Sequence, residues 1–234
     1  MKIKILFLTI LLSTLGYGQE KNIYVEYGLI IQNEPDLFKN NSTLRSYFEN
    51  AIVDCGKVSF QLIITKNGSK FLIKENLEID SNAGSANFIL ATSSYSGIVY
   101  TLKDKIVSQN VLLGKNIYTE GNLKNNWVLS NETKLIDNYL CYKATNVKKV
   151  INDVKTFNHP VTAWYCPELP YPYGPNGYGN LPGLVLELQV RNVVFGAKSI
   201  KLDSELDFDI KSLEKIKILN DREIDEALDK FNEF

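Results

Sequence analysis

The chain has 234 residues with 26 basic and 27 acidic side chains, for a formal net charge of −1. Its first eighteen residues hold Lys2, Lys4 and no acid, so the remainder sets 24 basic residues against 27 acids, which excludes an electrostatic nucleic-acid binder. With 13 Tyr and 11 Phe against a single His, and the initiator as the only Met, the composition points to an aromatic-rich β core.

Lys2 and Lys4 form a positive start, Ile5 to Leu12 an apolar core, and Ser13 to Gly18 a small polar exit. This is the tripartite pattern of a secretory signal peptide. The apolar run falls well short of the roughly 20 residues that cross a bilayer, so cleavage near Gly18 is expected and no retained transmembrane segment. The leader carries no Cys to accept a lipid. The expectation is an exported protein, periplasmic or secreted, with residues 1–18 as signal peptide and 19–234 as one β-rich domain.

Asn22 to Ile31 reads as the first strand, ended before Pro35. A helix is expected next, capped by Ser42, with Leu44, Tyr47, Phe48 and Ala51 at helical spacing facing a sheet. Val58 to Lys66 and Ser69 to Lys74 flank Asn67-Gly68 and predict a tight hairpin. Asp80 to Ser96, rich in Ser, Asn and Gly, reads as a loose connection. Gly97 to Leu102, Ile106 to Leu113, Asn116 to Glu120 and Asn126 to Ser130 then predict an antiparallel meander.

Tyr139 to Val150 and Lys155 to Cys166 read as a long hairpin turning near Asn152-Asp153. That centre sets Cys141 opposite Cys166. A disulfide between them is plausible in an oxidising compartment and would close about 25 residues, contributing about 3 kcal/mol in a chain-entropy account. The alternative is that one of them is simply a small buried apolar residue. Gly183 to Phe195 is a further strand, Asp203, Glu205, Asp207 and Asp209 alternate as charged guards of an edge strand, and residues 220–234 form a terminal helix. Asn220 and Glu223 give that helix a capping box, and Ile224, Ala227, Leu228 and Phe231 its apolar stripe.

Between His159 and Gly183 lie six of the seven prolines, four glycines and five aromatics: Trp164, Tyr165, Tyr171, Tyr173 and Tyr178. Proline restricts the unfolded chain, so a long loop of this composition is expected to be ordered. It reads either as a binding loop or as a cover packed over a sheet edge.

The sequence from Gly179 through Asn180, Leu181, Pro182, Gly183, Leu184 and Val185 resembles the signature of the GLPGLI family. Trp127, the Leu140 to Thr145 strand, Ala163-Trp164-Tyr165 and Gly174-Pro175 add to the resemblance. Asn180 stands where that motif has its first Gly, and Val185 replaces its terminal Ile. The family comprises exported proteins of unassigned function, so the resemblance implies export and carries over no catalytic residue.

No chemistry-bearing spacing is present: HExxH, GxSxG and phosphate-loop patterns are all missing. His159 and Cys166 lie seven residues apart on one strand, about 23 Å. Glu168 and Glu187 form the one carboxylate pair worth testing for hydrolysis. Catalytic residues, metal ligands and cofactors are accordingly assigned as none. The expected fold is mainly β, an antiparallel open curved sheet or half-barrel with one packed helix and a C-terminal helix. Its expected role is a non-catalytic binding module whose concave face, gated by Tyr171, Tyr173 and Tyr178, holds an apolar ligand or an extended envelope-protein segment. A structural or assembly partner of an outer-membrane receptor is the alternative.

Overall fold

The computed structural model describes residues 21–74, 83–112, 114–151, 155–220, 222–224 and 226; the expected signal peptide lies outside them. Strand β1, Asn22–Ile31, buries Ile23, Val25, Tyr27, Leu29 and Ile31 on one face. That period of two makes the segment a strand with a single main core face. Helix α1, Ser42–Asp54, follows Pro35 and is capped by Asn41, whose Oδ1 accepts from Leu44 N at 3.0 Å. The cap therefore sits one residue ahead of Ser42.

Of the expected apolar face of α1, Phe48 and Ala51 are buried, whereas Leu44 and Tyr47 stay largely exposed. The reason is its neighbour. Ala83–Thr92, expected to be loose, is a second helix, α2, and α1 packs chiefly against it rather than flat on the sheet. Phe38 bridges the pair, with ring centroids 6.2 Å from Phe48 and 5.8 Å from Phe88.

Strands β2, Ser59–Thr65, and β3, Gly68–Ile73, form the expected hairpin with Thr65 opposite Gly68. The two connecting residues are thus Lys66 and Asn67, one place earlier than the sequence suggests, and of the expected Asn67-Gly68 pair Gly68 alone takes a positive φ. Strands β4 (Val99–Thr101), β5 (Lys105–Leu112) and β6 (Lys115–Asn122) extend this antiparallel meander. A second meander comprises β7 (Val128–Ile136), β8 (Tyr139–Ile151), β9 (Thr156–Cys166), β10 (Leu184–Val190) and β11 (Val193–Ser204). The chain ends with a short helix α3, Lys211–Glu214, and β12, Ile218–Leu219, which pairs with β6 in parallel.

All twelve strands form one mixed, open sheet in the order β12-β6-β5-β4-β3-β2-β1-β11-β10-β9-β8-β7. The first strand is central, and each meander occupies one wing. Ten strand spacings of about 4.8 Å separate β6 from β7, or about 48 Å if the sheet were flat. The chain makes that passage through residues 123–127 alone, which reach at most about 21 Å when extended. The sheet must therefore curl until its two wings nearly meet.

Inside the curl lies the main core, in which Phe60, Phe71, Phe195 and Tyr95 contact one another at 5.1 to 6.1 Å. The outer face carries a smaller cluster, Tyr24, Ile63, Tyr100 and Val107, roofed by Phe208 and Leu213 from the C-terminal segment. That segment corrects the edge-strand expectation for Asp203 to Asp209. Strand β11 stops at Ser204, so Glu205, Asp207 and Asp209 lie beyond it and Asp203 alone is a strand residue, on the stretch that pairs with β1 and that β10, ending its pairing at Gly196, does not reach.

The capping box at the chain end is formed: Glu223 N donates to Asn220 Oδ1 at 3.0 Å, and Asn220 N to Glu223 Oε2 at 3.1 Å. Residues 227–234 of the expected helix lie outside the described residues. No helix among the described residues is long and apolar enough to cross a membrane. Phe60 stands at the centre of the aromatic cluster, so Phe60→Ala is expected to cost about 3–5 kcal/mol in urea unfolding.

Candidate functional site

The proline-rich segment between β9 and β10 is held by its own backbone. Leu184 N donates to the Leu169 carbonyl at 2.9 Å, Asn180 N to Pro172 O at 2.8 Å, and Val185 N to Tyr173 O at 3.0 Å. These bonds fold the segment back on itself, and it packs within the curled sheet. Pro175, Gly177, Tyr178 and Leu181 are buried, and a short 3-10 turn, Pro175–Gly177, reaches β3 and β4 on the far wing.

The signature residues are placed by packing. Gly183 has φ +156°, and a Cβ there would lie 2.1 Å from the Cys166 carbonyl oxygen. A Cβ on Gly179 would lie 2.5 Å from Pro172 O. Leu181, Leu184 and Val185 are buried while Pro182 is exposed. The Tyr27 hydroxyl, buried in the core, donates to the Val185 carbonyl at 2.6 Å, and burial pushes its ionisation far up. Trp127, in the link between the wings, donates from Nε1 to Gly179 O at 3.0 Å, and Asn180 Nδ2 donates to Asn125 Oδ1 at 2.6 Å. The signature thus ties the second meander to the link between the wings.

The five aromatics singled out in the sequence do not share one site. Tyr178 lies in the core beside Trp127, ring centroids 6.5 Å apart, and burial raises its pKa to about 12. Tyr165 is buried against Tyr142 on the inner face. Trp164, its neighbour in the strand, faces the other way under the Lys134 ammonium, 4.6 Å from the ring centroid. Tyr171 and Tyr173 alone remain together. They line a cleft of about 400 Å³ with Lys21, Ile23, Ile64, Thr65 and Lys66. A second hollow of about 220 Å³ continues past Tyr173 and Lys66 toward Lys103, Leu123 and Asn180.

Burial raises the Tyr173 pKa, so the phenol is neutral at physiological pH and offers a donor and an apolar ring. The lysines around it were not singled out in the sequence. Nothing in their local pattern marks them, because the cleft brings together β1, the β2–β3 turn and the proline-rich segment only after the sheet curls.

The hairpin of β8 and β9 has the expected register: Tyr142 lies opposite Tyr165, and one step further sets Cys141 opposite Cys166. Its expected turn, at 152–153, falls outside the described residues. The expected disulfide is absent, since all three cysteines are free and buried. Burial, reinforced by the neighbouring Cys166, raises the Cys141 pKa to about 12, so the folded thiol stays protonated at neutral pH. Of the carboxylate pair, Glu168 is exposed and Glu187 is held by Lys134 at 2.6 Å.

Two neighbouring signature positions separate packing from stiffness. Gly183→Ala drives a methyl into the Cys166 carbonyl and is expected to lower stability by more than about 2 kcal/mol, whereas Pro182→Ala should cost about 1 kcal/mol or less. Urea midpoints of the two variants check the contrast.

Residues 153–187, spanning all of β9, the proline-rich segment and the start of β10, match a family described as a protein of unknown function (Porph_ging). No curated protein matches the chain. Among solved structures the chain is similar to PNGF-II in two crystal forms, at 15% identity in each. The C2 form gives a TM-score of 0.52 over 88% of this chain and 32% of PNGF-II, and the P21 form gives 0.49 over 82% and 30%. The chain spans about a third of the length of the PNGF-II chains, and at this identity the likeness is one of fold. The comparisons establish a likeness of fold to part of PNGF-II and a similarity of residues 153–187 to a family of unknown function.

Proposed function

We propose that the chain is an exported, non-catalytic binding module that holds an extended segment of an envelope protein in the cleft beside Tyr171 and Tyr173. The observation that carries this reading is the division of labour among the aromatics of the proline-rich segment. Tyr178 and Leu181 are consumed by the core, while Tyr171 and Tyr173 sit half-buried on a cleft of about 400 Å³. Rigid tyrosines lose little conformational entropy on binding and present both a ring and a hydroxyl. Lys66 beside them favours acidic or carbonyl-rich stretches of an extended chain, while Lys21 on the same cleft is paired with Asp203. Because Phe60, Phe71, Tyr95, Tyr178 and the two helices fill the curl, an extended segment at the cleft is favoured over an apolar ligand carried inside.

The alternative role in assembly with an outer-membrane receptor is supported by β7. This strand ends the sheet on one side, and Val128, Leu129 and Leu135 are more than half exposed along it. An unpaired edge with apolar side chains is a template for strand addition.

The two readings separate in one experiment. Protein without residues 1–18, immobilised and exposed to solubilised envelope proteins, is expected to retain a partner that Tyr171→Ala with Tyr173→Ala releases. The expected loss is at least about tenfold in affinity, the scale of a buried aromatic anchor, with the urea midpoint unchanged. Capture that survives the tyrosine changes and is lost with Leu129→Lys would replace the cleft by the β7 edge. Lipid found by native mass spectrometry in place of any protein would overturn both.

A further inference from the structure

A second cavity, sharing no residue with the tyrosine cleft, lies where α2, β8, β9 and the β10–β11 turn meet. It encloses about 230 Å³, and its lining includes Phe38, Ser94, Lys148, His159, Val190 and Arg191. Three cationic or cationisable side chains thus converge on one hollow with an apolar side.

Their anchoring is specific. Lys148 is half-buried and donates from Nζ to Ser94 Oγ at 3.0 Å; among the described residues it takes part in no ion pair. Arg191 stands in the two-residue turn between β10 and β11 with φ +55°. Its own N–H donates to Pro160 O at 2.9 Å, and its guanidinium holds Glu34 through two bonds of 2.8 and 2.5 Å. Asn192 and Gln32 lock the turn through reciprocal bonds, Gln32 N to Asn192 O at 2.7 Å and Asn192 Nδ2 to Gln32 O at 3.1 Å. His159 stacks on Phe157 with centroids 6.2 Å apart. One carboxylate, Glu34, thus pairs with Arg191 and acts on His159, while Lys148 has no carboxylate partner among the described residues.

We propose that this hollow is a binding site for a compact oxyanion, a phosphate, sulfate or carboxylate head, seated between Lys148, His159 and Arg191. The hollow, open to solvent on one side, has room for such a head with a short apolar stem against Phe38 and Val190. An ammonium withdrawn from water without a counter-charge is costly, and an anion arriving in the hollow removes that cost.

The charge balance at His159 agrees. Burial depresses its pKa first, Arg191 and Lys148 depress it further, and Glu34 alone acts in the opposite sense. The folded state resists protonating the imidazole, so the unfolded chain binds more protons as pH falls through about 6.5 and His159 subtracts stability there. A bound oxyanion reverses the local sign. It stabilises the imidazolium and raises the His159 pKa.

His159 is the only histidine, so its ring-proton resonance reports on this site without ambiguity. Protein without residues 1–18 is titrated from pH 8 to 5 in sodium chloride, sodium sulfate and sodium acetate at equal ionic strength. The expected result is a His159 pKa higher by about half a unit or more in sulfate than in chloride, the scale of one added neighbouring charge in partly solvated surroundings. An equal rise in acetate extends the site to carboxylates, whereas a rise in sulfate alone restricts it to tetrahedral anions. Lys148→Gln, on a half-exposed strand position, is expected to raise the pKa in chloride and to abolish the difference between the salts. The same pKa in all three salts, or a sulfate shift that persists in Lys148→Gln, would overturn the proposal.

Discussion

A five-residue link between the two wings of the sheet is the constraint on which the rest of the structure depends. Leu123 to Trp127 must carry the chain from the last strand of one meander to the outermost strand of the other. A reach of about 21 Å against a flat width of about 48 Å leaves the sheet no choice but to curl. Curling creates an inner volume that strand side chains alone do not fill. The helices α1 and α2 and the proline-rich segment occupy it, so the short link dictates the need for all three.

The same link explains why the signature region is exacting in sequence. The segment must cross the curl, contact Val99 and Ile106 on the far wing through Gly177, and meet the link itself through the bond from Trp127 to Gly179. Glycine is needed where carbonyl groups crowd within 2.5 Å of a would-be Cβ, and buried Leu181, Leu184 and Val185 supply the apolar contact. Packing accounts for these residues without any ligand. Functional weight therefore shifts to the aromatics of the segment that packing covers only in part, Tyr171 and Tyr173.

Local pattern made much of this legible. The alternation in β1, the β2–β3 hairpin, the long β8–β9 pair and even its register could be read from periodicity and turn residues, because strand pairing between neighbours is a local property. Helix α2 was not legible. Phe88, Ile89 and Leu90 run consecutively among small and polar residues and only Ile89 of the three is fully buried, so the periodic signal on which a helix is recognised is absent. The tyrosine cleft and the cationic hollow were equally hidden. Each joins residues from three or more elements, and no sequence spacing encodes that. The disulfide expectation shows the reverse error: register placed Cys141 and Cys166 correctly opposite each other, but register alone does not bring two sulfurs to bonding geometry, and both remain free.

The two ends of the sheet are finished differently, and the difference bears on where a partner attaches. On one side β12 pairs in parallel with β6 through Ile218 and Leu219, and the C-terminal segment before it covers Tyr24, Ile63 and Tyr100. On the other side β7 has no strand beyond it. Its register breaks between Leu129 and Thr133, and Glu132 is drawn to Lys143 while Lys134 is drawn to Glu187. A broken register and charges near the middle of an edge strand oppose continuous pairing with another sheet, which argues against unlimited edge-to-edge association. They still leave Val128 and Leu129 at one end and Leu135 at the other open to a short partner. On the proposed reading the cleft would seat a chain along its tyrosines, whereas the edge leaves room for brief strands alone, and that contrast favours the cleft over the edge as the place of a lasting complex.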